Sequence, residues 1–355
     1  MKNWLHVISG VGAVVLVLMG GYFLFREAPP EEVVEEVVKV GWIGHGDHRA
    51  VDLALKDLHM DNVEVVFSEV ECVHDDVLQT VQELSDQGIV VAISELCSDM
   101  YLMASQEFGK ADVVMIQASS DLNDYVDEPM FRTVPHQYQA LAYGIDYLSS
   151  KGIDNIAVVG VTAGWGAAID ELIMALFDGE EETLTFVSLM NDNDEAIDDE
   201  VLKTRLEELK EVDPDVVYIV ARGEDPARIM KIADEIELES TMYGISELYD
   251  DTESLGEIGN DLRVIVVGGG SSGFEEQYKI AYGEDASAYS AHAYDAMTAV
   301  ARVLREGAMT KEDMVARLHE LSFEGASGKI DFTDNGHIPG RFEVHVLKDG
   351  EFVKK

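Results

Sequence analysis

Basic residues are scarce in this chain. Lysine and arginine number 25 against 70 aspartates and glutamates over 355 residues, a formal charge of −45. So negative a surface repels nucleic acid and anionic lipid headgroups, which excludes a nucleic-acid partner. The acids run along the whole chain and are not gathered in a tail. Two readings of the excess stand side by side: adaptation to high salt, where self-repulsion is screened, and plain solubility. Cysteine is nearly absent, with only Cys72 and Cys97. In a reducing compartment such a pair reads as buried thiols. Signatures of chemistry are missing as well. Gly268-Gly269-Gly270-Ser271-Ser272-Gly273 lacks the lysine of a phosphate loop and reads as a turn. His45, Asp47 and His48 have the side-chain types of metal ligands but no third protein partner. No nucleophile elbow is present. No catalytic residue, metal or cofactor is assigned, and nothing in the sequence supports an enzyme.

What is present is a chain long enough for two domains, 47% hydrophobic and so able to build real cores. Trp4 to Phe25 holds no Asp, Glu, Lys or Arg over 22 residues. At about 1.5 Å per residue it is long enough to cross a hydrocarbon layer of roughly 30 Å. It exits through Tyr22-Phe23-Leu24-Phe25, with no small-x-small cleavage site and no cysteine for a lipid. An uncleaved transmembrane anchor over residues 1–25 is the first reading, and a cleaved signal the second. Residues 26–37 form an acidic linker, whose prolines end the membrane helix.

From Lys39 onward, apolar runs alternate with helical patterns. The clearest unit is Val90–Ser120. Val90–Ile93 ends at Cys97-Ser98-Asp99, an amphipathic stretch follows, and Val113–Ile116 ends at Ala118-Ser119-Ser120. This is a β-α-β unit with small hydroxyl residues where the chain leaves each strand. Ligands bind outside the carboxyl ends of such strands, and hydroxyls with free N–H groups at a helix start suit an anion. The alternation runs once to about residue 120 and restarts after Phe131–His136. Two runs predict two doubly wound parallel-sheet lobes. The N-lobe takes 38–135 and 270–330, the C-lobe 136–269 and 331–355. The last strands, Lys329–Phe332 and Phe342–Leu347, are expected in the second sheet. A hinge with several crossings permits closure around a ligand.

An ordered set of segments carries a resemblance: Cys97-Ser98 after a buried strand; Phe131-Arg132-Thr133; Gly164-Trp165-Gly166; Ala293-Tyr294-Asp295-Ala296; and Phe323-Glu324-Gly325 through Gly328-Lys329-Ile330-Asp331-Phe332. Over residues 38–355 the chain resembles the leucine/isoleucine/valine-binding proteins. These are type I periplasmic substrate-binding proteins of ABC importers. The resemblance implies an extracytoplasmic binding protein that takes a small-molecule ligand between its lobes and passes it to ABC permease subunits. It implies a Cys72–Cys97 disulfide. It implies ligand contacts at Ser98, Ser119 and Ser120 from the first lobe and at Trp165, Arg222 and Glu247 from the second. The bland alternatives are a helix N-cap for Ser98, a turn for Ser119 and Ser120, and core packing for Trp165. For Arg222 the alternative is pairing with Glu224 or Asp225, and Ser246 competes with Glu247 for one register. The chain departs from the family pattern in its short first loop, Gly44 to His48, and in Asp99 and Asp121 beside the expected carboxylate subsite. These departures favour a cationic, neutral or amide-like ligand. A ligand-sensing ectodomain working through a separate signalling partner is the alternative function.

Overall fold

The computed structural model describes residues 37–355, apart from 46–47, 72, 120–130, 154, 162–168, 170, 172, 175–183, 192–194, 251 and 288. The expected anchor over residues 1–25 lies outside the described residues. No helix among the described residues is long and apolar enough to cross a membrane.

The first run of alternation gives β1 (Val38–Gly44), α1 (Arg49–Asp57), β2 (Val63–Glu69), α2 (His74–Asp86), β3 (Val91–Glu95), α3 (Ser98–Lys110), β4 (Val114–Gln117) and β5 (Phe131–Arg132). The five strands are parallel, in the order β2-β1-β3-β4-β5. The second run gives α4 (Gln137–Ser149), β6 (Ile156–Gly160), β7 (Leu184–Ser188), α5 (Asp199–Val212), β8 (Val216–Val220), α6 (Asp225–Glu235), β9 (Thr241–Gly244) and β10 (Arg263–Val267). Then come α7 (Ser272–Tyr282), α8 (Ser290–Arg305), α9 (Lys311–Glu320), β11 (Ser322–Glu324), β12 (Lys329–Asp331), β13 (Phe342–Lys348) and β14 (Glu351–Lys354). The second sheet has the order β14-β13-β10-β9-β8-β6-β7, with β13 antiparallel to β10 and β14 antiparallel to β13.

Parallel strands need a covered crossover, and both faces of such a sheet are buried. The first sheet shows this residue by residue. Val91, Ile93, Val114 and Ile116 face a core shared with α1, α8 and α9. Ala92, Val113 and Met115 belong to a second core shared with α2 and α3. The second sheet has a core of its own, from Leu141 on α4 to Leu347 on β13.

Two elements differ from the sequence reading. Lys329–Asp331 does not join the second sheet. It pairs with β11 in a two-stranded antiparallel hairpin, and Ile330 and Phe332 pack in the first core. The apolar pattern of a short strand states that it is half-buried, not which edge it joins. The glycine run also does not continue as a loop, because α7 begins at Ser272. Its signals are local: the Ser271 hydroxyl accepts from the Phe274 N–H, Phe274 and Tyr278 face the core four residues apart, and Gly283 ends the helix with φ +76°.

The chain passes three times between the two bodies. It leaves the carboxyl end of β5 for α4, returns from the carboxyl end of β10 to α7, and leaves the first core beyond Ile338 for β13. The crossings hold one another. The Arg132 N–H donates to the Gly336 carbonyl at 3.0 Å, and the Gly268 N–H to the Arg341 carbonyl at 2.7 Å. His136 and His337 stack with ring centroids 5.9 Å apart. His136 also caps α4: its Nδ1 accepts from the Tyr138 N–H, and its own N–H donates to Gln139 Oε1.

Candidate functional site

Two of the three crossings leave from carboxyl strand ends, one from each sheet, so the ends of both sheets adjoin the passage between the bodies. That is where open parallel sheets bind ligands. Each sheet ends an inner strand in a glycine there. A Cβ on Gly44 would stand 2.6 Å from the Glu95 carbonyl oxygen, and one on Gly160 would stand 2.6 Å from the Val220 carbonyl oxygen. Only glycine permits this approach of one strand end to its neighbour.

In the first body the chain leaves β3 through Leu96 and Cys97 into α3. Cys97, not Ser98, is the N-cap, and it has no side-chain cap. Ser98 is the first helical residue, so its N–H belongs to the turn that has no intrahelical acceptor. Cys97 is disulfide-bonded. The Ser98 side chain, Cys72 and Ser120 lie outside the described residues.

Ser119 follows β4 and is tied down by two hydrogen bonds, closed into a ring by a third between its partners. Its hydroxyl donates to the Leu96 carbonyl at 3.0 Å. Gln117 Nε2 donates to the same carbonyl at 3.0 Å and to Ser119 Oγ at 2.9 Å. Gln117 is fully buried. It stands opposite Ser94 on β3 and Arg132 on β5, which makes a lateral row of buried polar residues across three strands. Sequence reasoning passed over this row. A charged residue within a buried strand was its one visible signal, since such a group is almost never buried without a partner.

In the second body Arg222 is exposed on the turn between β8 and α6. Asp225, its proposed alternative partner, binds Arg228 at 3.2 Å. Glu247 is the second residue of a 3₁₀ turn, Ser246–Asp250, just after β9. The Glu247 side chain and Trp165 lie outside the described residues. Every expected ligand residue with a described backbone thus sits just beyond the carboxyl end of a parallel strand.

A cavity of about 640 Å³ opens beside the second crossing, a volume within the usual range for small-ligand sites. Its walls come from both bodies: Tyr289 before α8 on one side; Ser246, Tyr249, Arg341, Glu343 and Lys354 on the other. Burial would push the Glu343 carboxyl up. The Lys354 ammonium at 2.6 Å and His345 at 3.5 Å outweigh it, and the net shift is downward. Beneath the first crossing, His292 Nδ1 donates to the Thr133 carbonyl at 2.5 Å, and Thr133 Oγ1 returns a bond to the His292 carbonyl at 2.8 Å. Full burial drives the His292 ring down to about 4, so it is neutral at physiological pH. Among the described residues no group of three or more His, Cys, Asp or Glu is placed to hold a metal. His48 instead packs on Phe67, with ring centroids 4.4 Å apart.

A family model for periplasmic binding proteins matches residues 41–344. The chain belongs to the periplasmic binding protein family. The fold agrees with solved members of this class. An ABC transporter substrate-binding protein from Desulfitobacterium hafniense matches with a TM-score of 0.78 at 17% identity, over 90% of this chain and 99% of that one. The leucine binding protein LivK from Thermotoga maritima matches with a TM-score of 0.71 at 19% identity, over 90% and 98%. A solute binding protein from R. palustris, solved in complex with benzoate, matches with a TM-score of 0.66 at 16% identity, over 90% and 95%. No curated protein sequence matches the chain. Identities this low establish the type I periplasmic binding protein fold and leave the ligand open.

Proposed function

We propose that this chain captures a small polar ligand, amino-acid-like or amide-like, outside the cytoplasm and delivers it to the permease of an ABC importer. The observation that supports this most is the meeting of two sets of carboxyl strand ends at three mutually bonded crossings, with a cavity walled from both bodies. The mechanism is differential binding. A ligand that touches both bodies only when they are closed shifts the population toward closure. No bond is made or broken. Ser98, Ser119 and Ser120 meet the ligand from the first body, and Trp165, Arg222 and Glu247 from the second. The similar proteins were solved with, or are named for, leucine and benzoate, small molecules that join one carboxylate to an apolar body. In this chain Asp99 and Asp121 add negative charge near that end, which favours a cationic, neutral or amide-like variant of such a ligand.

Residues 4–25 tether the protein to the membrane with the binding unit outside. Cys72 and Cys97 form one bridge, consistent with an oxidising compartment. Alkylation of the unfolded chain without reductant should add no mass, and with reductant should add two labels. Two labels without reductant would remove the bridge.

Thermal unfolding of the full chain against a ligand panel tests the function. The panel holds branched, acidic, basic and amide amino acids, urea, short amides and polyamines. A true ligand at 100 times its dissociation constant stabilises by about 2.7 kcal/mol. The shift should vanish in Ser98→Ala and Trp165→Ala. Stabilisation that survives both substitutions would place the site elsewhere.

A further inference from the structure

The closed ring of bonds at the end of β4 decides what Ser119 can offer a ligand. A carbonyl oxygen only accepts, so the Ser119–Leu96 contact consumes the one hydroxyl proton of Ser119. The same reasoning fixes the Gln117 amide. Its nitrogen faces the Leu96 carbonyl, and its two N–H groups go to that carbonyl and to Ser119 Oγ. The Leu96 carbonyl therefore accepts two bonds and is saturated. Ser119 Oγ has given its proton, has accepted once, and retains one lone pair. It is only partly buried and follows the carboxyl end of β4. Gln117 Oε1, the remaining atom of the ring, is a buried acceptor with no partner. Arg132, next in the row, is buried and already has interactions of its own. At this strand end the Ser119 hydroxyl and the Gln117 amide have both spent their donors.

We infer that Ser119 is a specificity-determining residue that accepts a hydrogen bond from an N–H group of the ligand, a carboxamide, urea-type or ammonium nitrogen, and that it discriminates against a carboxylate at the same position. The inference rests on the binding function proposed above. A carboxylate oxygen brought to Ser119 meets a lone pair in place of a proton. To be bound there it must pull the hydroxyl away from Leu96 and forfeit that bond. An N–H donor requires no rearrangement.

Matched acid and amide pairs read this directly: leucine with leucinamide, benzoate with benzamide, and acetate with acetamide, titrated calorimetrically into the full chain. The expected result is that in every pair that binds, the N–H member binds at least about fivefold more tightly, the equivalent of one net hydrogen bond. That preference should collapse in Ser119→Ala. Ser119→Cys, which keeps the volume and a donor but accepts poorly, gives the same reading if the alanine variant does not fold. Comparison of leucinamide with benzamide then separates ammonium from amide recognition. Tighter binding of the acid member would overturn the inference and direct attention to Arg132. A preference unchanged by both substitutions would overturn it too. Binding of no pair member would remove the binding function itself for these ligand classes, and the inference with it.

Discussion

Asp295→Ala should destabilise the chain by about 3 kcal/mol or more, read as a fall in the denaturant midpoint at constant slope. Asp295 lies on α8, is fully buried, and accepts three hydrogen bonds. Oδ1 takes the Ala326 N–H at 2.7 Å; Oδ2 takes the Ser327 N–H at 2.8 Å and the Ser327 hydroxyl at 2.6 Å. Alanine leaves all three donors buried and unpartnered, at roughly 1–3 kcal/mol each before any water enters. Gly325 closes the same arrangement. A Cβ there would stand 2.4 Å from Oδ2, so Gly325→Ala must displace a carboxylate that is pinned on three sides. The two substitutions act through one contact, and their double mutant should cost less than the sum of the singles. Additive losses would mean that Gly325 is constrained by something other than Asp295.

The same group carries a pH signature. Burial raises the Asp295 carboxyl to about 6, against its hydrogen bonds to Ser327 and Ala326, from an ordinary 3.8. The folded state therefore holds a proton that the unfolded state has lost between those values. This group's contribution to stability is fully present below pH 3.8 and is lost as pH rises through about 6. Its full span is about 3 kcal/mol. Wild type minus Asp295→Asn should show that fall between pH 4 and 6 and be flat above 7. A flat difference throughout would contradict the burial argument.

Stability should rise steeply with salt. Two unit charges 10 Å apart in water repel by roughly 0.4 kcal/mol. The screening length is about 30 Å at 0.01 M salt and about 3 Å at 1 M. With a net charge of −45, most surface carboxylates have a like neighbour without a compensating cation. Summed over the excess, screening should recover several kcal/mol between those two salt concentrations. The ion pairs cannot offset this. Those that salt would weaken are mostly exposed, such as Arg49–Glu284 and Lys279–Asp285, and exposed pairs contribute little. Unfolding followed by circular dichroism across that range checks it. Equal midpoints at both ends would leave solubility as the sole reading of the acidity.

The periodic features of the fold were legible in the sequence. The buried runs Ile156–Gly160 and Val216–Val220 are continuous apolar strands, Val91–Ile93 opens another, and the helices between them show one apolar face. The crossing after Phe131 was legible from the break in alternation. Pairing was not. β12 looks like any short strand, and nothing local says that its partner is β11. α7 was hidden by the glycines that precede it, although its cap and its aromatic pair were there to read. The Ser119 ring was hidden for another reason: its partners lie 23 and 21 residues apart, and Gln117 stands at the end of an apolar run where a polar residue looks like the start of a turn. Ser119 could be picked out in the sequence as a hydroxyl beyond a strand; its hydrogen bonds exist only in the fold.

Closure is the central claim, and small-angle X-ray scattering of the full chain tests it most directly. The chain is measured alone and with the panel compound that stabilises it most. The account predicts a smaller radius of gyration at saturation, with intermediate concentrations fitted by a mixture of two states. Identical scattering with and without a saturating, stabilising ligand would contradict it.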